Sequence, residues 1–166
     1  MRRMVWLALA LVILAGVGLA QKKAGAKPNL TGEWKLNVAA SEFGDVPPPM
    51  RQMEVVTQAG DEFAIAITIE REEMKQHYTL RFQAGGAEMP LAQGSFPEDA
   101  PFRILGVKGT WQGAVLVVTQ RVSFQGAEGV LTSNYSLSAD GKVLRKATHV
   151  AMEGGEFDTK TVYDKQ

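Results

Sequence analysis

The run Glu62-Phe63-Ala64-Ile65-Ala66-Ile67-Thr68-Ile69-Glu70-Arg71 alternates large apolar residues with small or polar ones, without a break. Phe63, Ile65, Ile67 and Ile69 fall on one side and Ala64, Ala66, Thr68 and Glu70 on the other, the period of a strand with one buried face. Residues 76–83 repeat the pattern, with Tyr78, Leu80 and Phe82 set against His77, Thr79 and Arg81. Residues 114–124 place Leu116, Val118, Val122 and Phe124 on one face and Val115 and Val117 on the other. Residues 129–138 bury Leu131, Tyr135 and Leu137, and residues 156–164 align Phe157, Thr159, Thr161 and Tyr163. Glycine-bearing clusters at 59–61, 112–113, 125–127, 139–141 and 153–155 punctuate these runs and supply the positive φ that tight hairpins need. Strands of about eight to eleven residues at this spacing signal an all-β sandwich or barrel. Consecutive hairpins make a meander, and a long meander removes its exposed edges by closing on itself. The expected fold is therefore all-β, an antiparallel up-and-down meander closed into a barrel of about eight to ten strands.

Two segments break the alternation. Residues 37–44 suit one helical turn, with Asn37 as cap and Gly44 as exit, before Pro47-Pro48-Pro49 forces an extended stretch. Residues 84–101 are rich in glycine and proline and read as a long loop with a short strand at 88–91.

Ahead of the strands, residues 1–20 have the layout of an export signal: Arg2 and Arg3, an apolar run at 5–14, and small residues in Gly18-Leu19-Ala20. A retained membrane helix is the rival reading, but residues 4–20 reach only the lower limit of a spanning length. The mature chain is expected to begin at Gln21 in a secreted or periplasmic location, with residues 21–29 as a flexible linker and 30–166 as one barrel domain. Removing the signal takes away Arg2 and Arg3 and no acid, leaving 16 basic against 18 acidic residues, a net charge of −2. No concentrated basic face remains to suggest nucleic acid. The chain has no cysteine, so an apolar core rather than disulfides must hold the fold, and thiol catalysis, thiolate metal sites and N-terminal lipidation through cysteine are excluded. No stable membrane anchor is expected after cleavage.

Thr31-Gly32-Glu33-Trp34-Lys35-Leu36 places a G-x-W at the entrance to the first strand, where the tryptophan can close one end of a barrel. With Asn37, Ser41, Phe43, Gly44 and the following prolines, this opening resembles that of uncharacterised secreted bacterial proteins with a lipocalin-like, or calycin, β-barrel. Thr110-Trp111-Gln112-Gly113 and the hairpin Tyr135-Ser136-Leu137-Ser138-Ala139-Asp140-Gly141-Lys142 agree with it. The resemblance implies a binding module that holds a small apolar molecule in the barrel. Fatty-acid-binding members of the group end in a strand with R-x-Y, whose arginine and tyrosine hold a carboxylate. The matching positions here are Thr161 and Tyr163, so the tyrosine is kept and the cation is lost, which removes the main charge partner of a fatty-acid headgroup.

Enzymatic readings find little in the residues. His77 and His149 are the only histidines and lie outside any H-x-x-x-H or H-E-x-x-H spacing. There is no G-x-S-x-G elbow and no phosphate-cradling glycine loop. No catalytic residue, metal site or cofactor is assigned. His149 is the residue that could ligate haem iron from inside the barrel, as in a haem-binding calycin branch, although the glycine-rich opening of that branch is absent. Glu70, Glu72 and Glu73 read as a solvated strand end. By parity Trp34, Phe63, Tyr78, Phe82, Phe124, Tyr135, Phe157 and Tyr163 point inward, joined by the polar Gln120, Ser133, Thr159 and Thr161. Small barrels are commonly filled by their own side chains, which would leave a structural or interaction module of the cell envelope. A barrel with a cavity would instead bind a small apolar or amphipathic molecule, the preferred reading, through Trp34, Phe63, Tyr78, Phe82, Gln120, Tyr135, Phe157, Thr161 and Tyr163. An enzyme comes third.

Overall fold

Ten strands hydrogen-bond into one antiparallel sheet in the computed structural model, which describes residues 26–72, 74–91 and 101–166. The expected export signal, most of the expected linker and Glu73 lie outside the described residues. The strands are β1 (Gly32–Leu36), β2 (Arg51–Ala59), β3 (Glu62–Arg71), β4 (Met74–Gln83), β5 (Met89–Pro90), β6 (Phe102–Gln112), β7 (Val115–Phe124), β8 (Ala127–Leu137), β9 (Val143–Met152) and β10 (Gly155–Lys165). Their order in the sheet is β4-β3-β2-β1-β10-β9-β8-β7-β6-β5, so every strand pairs with the next except β4 with β5, and the first strand pairs with the last. The outer members then approach each other: Ala84, just past β4, bridges Gly109 of β6, and the Gly85 N–H donates to the Gly109 carbonyl at 2.8 Å. The expected meander is thus a nearly closed barrel. Asn37 caps a single 3-10 turn at Val38–Ala40, its side chain accepting the Ala40 N–H at 3.1 Å, and the proline run that follows is tied down by Arg71, which donates to the Pro47 carbonyl at 2.7 Å.

One end of the barrel is packed solid. Trp34 is buried beneath Leu30, whose carbonyl accepts its indole N–H at 3.0 Å, and Leu30 is itself held by Gln58. Phe63 stacks on Phe82 with ring centroids 5.2 Å apart and meets Trp111 at 5.9 Å. Gly109 lets β4 and β6 come together here, because a Cβ on it would lie 2.1 Å from the Phe82 ring. At the hairpin between β7 and β8, Gln125 and Gly126 both take positive φ, +51° and +89°, the requirement of a two-residue turn that follows strand twist.

The strands that sequence alternation located are present with bounds shifted by a residue or two, and the short strand expected at 88–91 is β5, paired with Gly106 and Val107. Residues 92–100 of the expected loop are outside the described residues. β2, β6 and β9 are harder to see by alternation. A register shift between Ile104 and Gly106 resets the parity of β6, and β2 and β9 turn charged residues inward. One inward assignment fails outright: Phe124 is 44% exposed, because β7 runs past the rim of the barrel before its hairpin.

Closure through Gly109 gives a first prediction. Gly109→Ala should destabilise the barrel by about 1–3 kcal/mol through overpacking against Phe82. Urea titration of the single variants and of Gly109→Ala/Phe82→Leu should show strong non-additivity, the smaller side chain relieving most of the loss. Simple additivity would mean that β4 and β6 do not meet at this point.

Candidate functional site

The site begins with a carboxylate where a barrel core would ordinarily place an aliphatic side chain. Glu54 lies at the centre of β2, opposite Trp34 of β1 and Ile67 of β3, and its inward parity leaves it 0% exposed. Lys146 of β9 stands on the other wall, opposite Tyr135 of β8 and Thr161 of β10. Barrel closure brings the two together in a buried salt bridge. Tyr163 donates to Glu54 Oε1 at 2.9 Å and Tyr135 to Oε2 at 3.3 Å. Gln52 Nε2 adds donations to Glu54 Oε1 at 3.1 Å and to the Tyr163 hydroxyl at 2.9 Å. The Lys146 ammonium also lies 5.5 Å and 5.2 Å from the ring centroids of Tyr135 and Tyr163, within cation–π range.

A buried charge persists only if it is paired and hydrogen-bonded, and this cluster meets both conditions. Burial works against the charge on Lys146, but Glu54 and the two tyrosines outweigh it and hold the ammonium pKa well above its ordinary value. Burial, reinforced by Glu54, raises the phenols of Tyr135 and Tyr163 as well. Tyr78, farther along the wall, is pushed up to about 12 by burial, with Glu54 adding to the rise and Lys146 opposing it. Within the cluster the one carboxylate and the one ammonium cancel.

Above this cluster the barrel is hollow. A cavity of about 240 Å³ has Lys146, Tyr135, Tyr163 and Gln52 in its floor, while Glu54 stands behind them and does not line it. Ile67, Ile69, Leu131, Val150 and Phe157 make its apolar wall, and Phe43, Val46 and Pro49 border it from the segment between β1 and β2. A polar band lies between the cluster and the apolar rung of Leu131, Val150 and Phe157, where Ser133, Thr148 and Thr159 stand side by side on β8, β9 and β10. Ser133 and Thr148 share a hydroxyl hydrogen bond at 2.9 Å. Gln120 of β7 completes the lining; it is 5% exposed, and its Oε1 has no hydrogen-bond partner among the described residues.

The residues singled out from sequence separate into two groups. Tyr78, Gln120, Tyr135, Phe157, Thr161 and Tyr163 line the cavity, whereas Trp34, Phe63 and Phe82 belong to the packed end and do not. Phe157 is 41% exposed and sits at the cavity mouth. The expectation that no cation accompanies Tyr163 is corrected. Thr161 does replace the cation along β10, but its neighbour across the ladder is Lys146, so the positive charge arrives from β9. Glu54, Lys146 and Gln52 were missed; the available signal was a charged or amide residue at a position whose neighbours two residues away, Val56 on β2 and Leu144 on β9, are buried. The interior haem ligand is also corrected. His149 alternates with the inward Thr148 and Val150, and its Nδ1 lies 2.9 Å from Asp158 on the outer surface. His77 likewise bonds Thr68 outside the barrel.

No protein-family profile and no curated protein matches the sequence. Solved structures do match it. A secretory abundant heat soluble protein from Ramazzottius varieornatus superposes with a TM-score of 0.56 at 17% identity, covering 82% of this chain and 94% of that one. Zebrafish ileal bile acid-binding protein complexed with cholic acid gives 0.54 at 14%, covering 82% and 98%. Human cRBP IV gives 0.50 at 15%, covering 84% and 99%. At these identities the likeness is one of fold, and the fold is that of lipocalin-like, calycin barrels.

Two outcomes test the buried cluster. Lys146→Met should cost about 3–5 kcal/mol by stranding the Glu54 carboxylate, and Glu54→Gln/Lys146→Met should recover much of that loss in urea titrations. Alkaline pH provides the second test, since the three tyrosines of the chain, Tyr78, Tyr135 and Tyr163, all have raised pKa values. Above about pH 10 an unfolded chain releases protons from tyrosine and lysine that the fold still holds, so stability should fall as pH rises. The Lys146 contribution has the same sign, being complete below the unfolded lysine value and lost as pH climbs through the raised folded one. Tyrosinate absorbance should therefore appear only as the strand circular dichroism disappears. A tyrosinate step near pH ~10 with the strands intact would mean that the cluster is open to water.

Proposed function

We propose that the protein is an exported binding module whose half-hollow barrel takes one small amphipathic molecule, head inward, with its apolar body against Ile69, Leu131, Val150 and Phe157. The single observation that carries this reading is a cavity in the barrel lined by both apolar side chains and the Ser133, Thr148 and Thr159 hydroxyls. A barrel filled throughout by its own side chains would have left no such space. The volume of about 240 Å³ lies just below the range of roughly 300–1,000 Å³ typical of drug-sized ligands, so the molecule should be small. The packed end, with Trp34, Phe63 and Phe82, is the part that fits a purely structural role. That one neighbour in fold is complexed with cholic acid adds support for a ligand in the barrel. Export rests on residues 1–20, whose charged start, apolar run and small-residue ending fit a cleaved signal. A secreted or periplasmic bacterial protein is the setting in which we place it.

Mass spectrometry of the protein purified from its own host reads both parts. Under denaturing conditions the mass should correspond to a chain beginning at Gln21, and under native conditions a fraction should carry the added mass of one small molecule. Thr159→Phe, which fills the cavity from β10, should keep the strand circular dichroism and lose the added mass. Identical native spectra for wild type and Thr159→Phe would sink the binding reading, and an intact residue 1–20 segment would sink export.

A further inference from the structure

Four donors converge on one point inside this barrel: the Lys146 ammonium, the hydroxyls of Tyr135 and Tyr163, and the Gln52 amide. A cation flanked by phenols and an amide is the equipment for holding a carboxylate. Here the carboxylate they hold belongs to the chain itself. We infer that Glu54 is a resident carboxylate that fills the barrel's own anion site, so that the cavity selects a molecule with a neutral, hydrogen-bonding head and turns carboxylates away. The inference deepens the binding reading above and rests on it.

Two independent features carry it. The first is charge. Lys146 and both tyrosines lie in the cavity floor while Glu54 lies behind it, so a carboxylate entering head first would meet a cation that is already neutralised, with a second carboxylate beyond it; Arg71, the other cation of the lining, stands by the proline run, where it donates to the Pro47 carbonyl. Like charges sharing a desolvated site disfavour each other strongly. Displacing Glu54 is no escape, since that would leave a wholly buried carboxylate without its partner. The second feature is the polar band. The Ser133, Thr148 and Thr159 hydroxyls can either accept from or donate to a neutral head, and the band itself holds no cation for an ionised one.

The test compares octan-1-ol with octanoate, two ligands of equal chain length and different heads, by isothermal titration calorimetry at neutral pH. Wild type should bind octan-1-ol at least about tenfold more tightly than octanoate. Glu54→Gln keeps the shape of the side chain, frees the Lys146 charge and should reverse that order. Glu54→Gln/Lys146→Met removes both charges and should lose the octanoate gain. The inference is overturned if wild type takes octanoate as well as octan-1-ol, or if folded Glu54→Gln leaves the ratio where it was. Octan-1-ol binding without the reversal would remove the role of Glu54 alone, whereas no binding of either ligand to any of the three proteins would remove the binding reading with it. Should Glu54→Gln not fold, wild type that binds octanoate as tightly as octan-1-ol still overturns the inference.

Discussion

The Glu54–Lys146 pair spans the barrel from β2 to β9, and the distribution of everything else inside follows from it. Ions in a low-dielectric interior lose several kcal/mol each in hydration, and attraction between them offsets this only when the remaining lone pairs and protons are also satisfied. Tyr135, Tyr163 and Gln52 meet that need on the carboxylate side, so three further inward positions are committed to one charge. The polar layer that results divides the interior. Below it Trp34, Phe63, Ile65, Leu80 and Phe82 pack as an ordinary apolar core, and above it hydroxyls and aliphatic side chains line open space.

That division also explains what could be read from the chain and what could not. β3 announces itself because its inward side chains, Phe63, Ile65, Ile67 and Ile69, are all apolar, and the all-β barrel could be argued from it and its hairpins alone. β2 and β9 carry Gln52 and Glu54, and Lys146 and Thr148, on their inward faces, so the contrast between faces that marks a strand is blurred where the site is built. A period-two pattern reports burial of apolar groups. It cannot report burial of a charge whose partner lies 92 residues away. The same blindness affects motif reading: the pattern R-x-Y runs along one strand, while the cation beside Tyr163 comes from the adjacent strand through the Thr161 and Lys146 register. Phe124 fails for a different reason, since parity fixes the side of a sheet but not where the barrel ends.

Closure and chemistry are coupled through the ladder. The pairing of β1 with β10 sets Leu36 opposite Tyr163, and the pairing of β10 with β9 sets Thr161 opposite Lys146. Because side chains alternate with a period of two, a one-residue slip in either ladder would send the tyrosine or the lysine to the outer face and leave Glu54 alone. A slipped register would therefore strand a buried charge, a penalty that does not require the correct pair to bring a large net gain in stability.

The cavity floor and the fold's internal support are the same atoms. Tyr135, Tyr163, Gln52 and Lys146 face the cavity on one side and Glu54 on the other, so a substitution that reshapes the floor also alters the hydrogen bonding of a buried carboxylate. The walls are free of that constraint. Ser133, Thr148, Thr159 and Gln120 lie beyond the Glu54 hydrogen bonds, and an exchange there changes volume and hydrogen-bonding pattern without stranding a charge. The volume and hydrogen bonding of the cavity can thus vary through β7, β8, β9 and β10 above the floor, while the floor keeps its form for as long as Glu54 and Lys146 remain together.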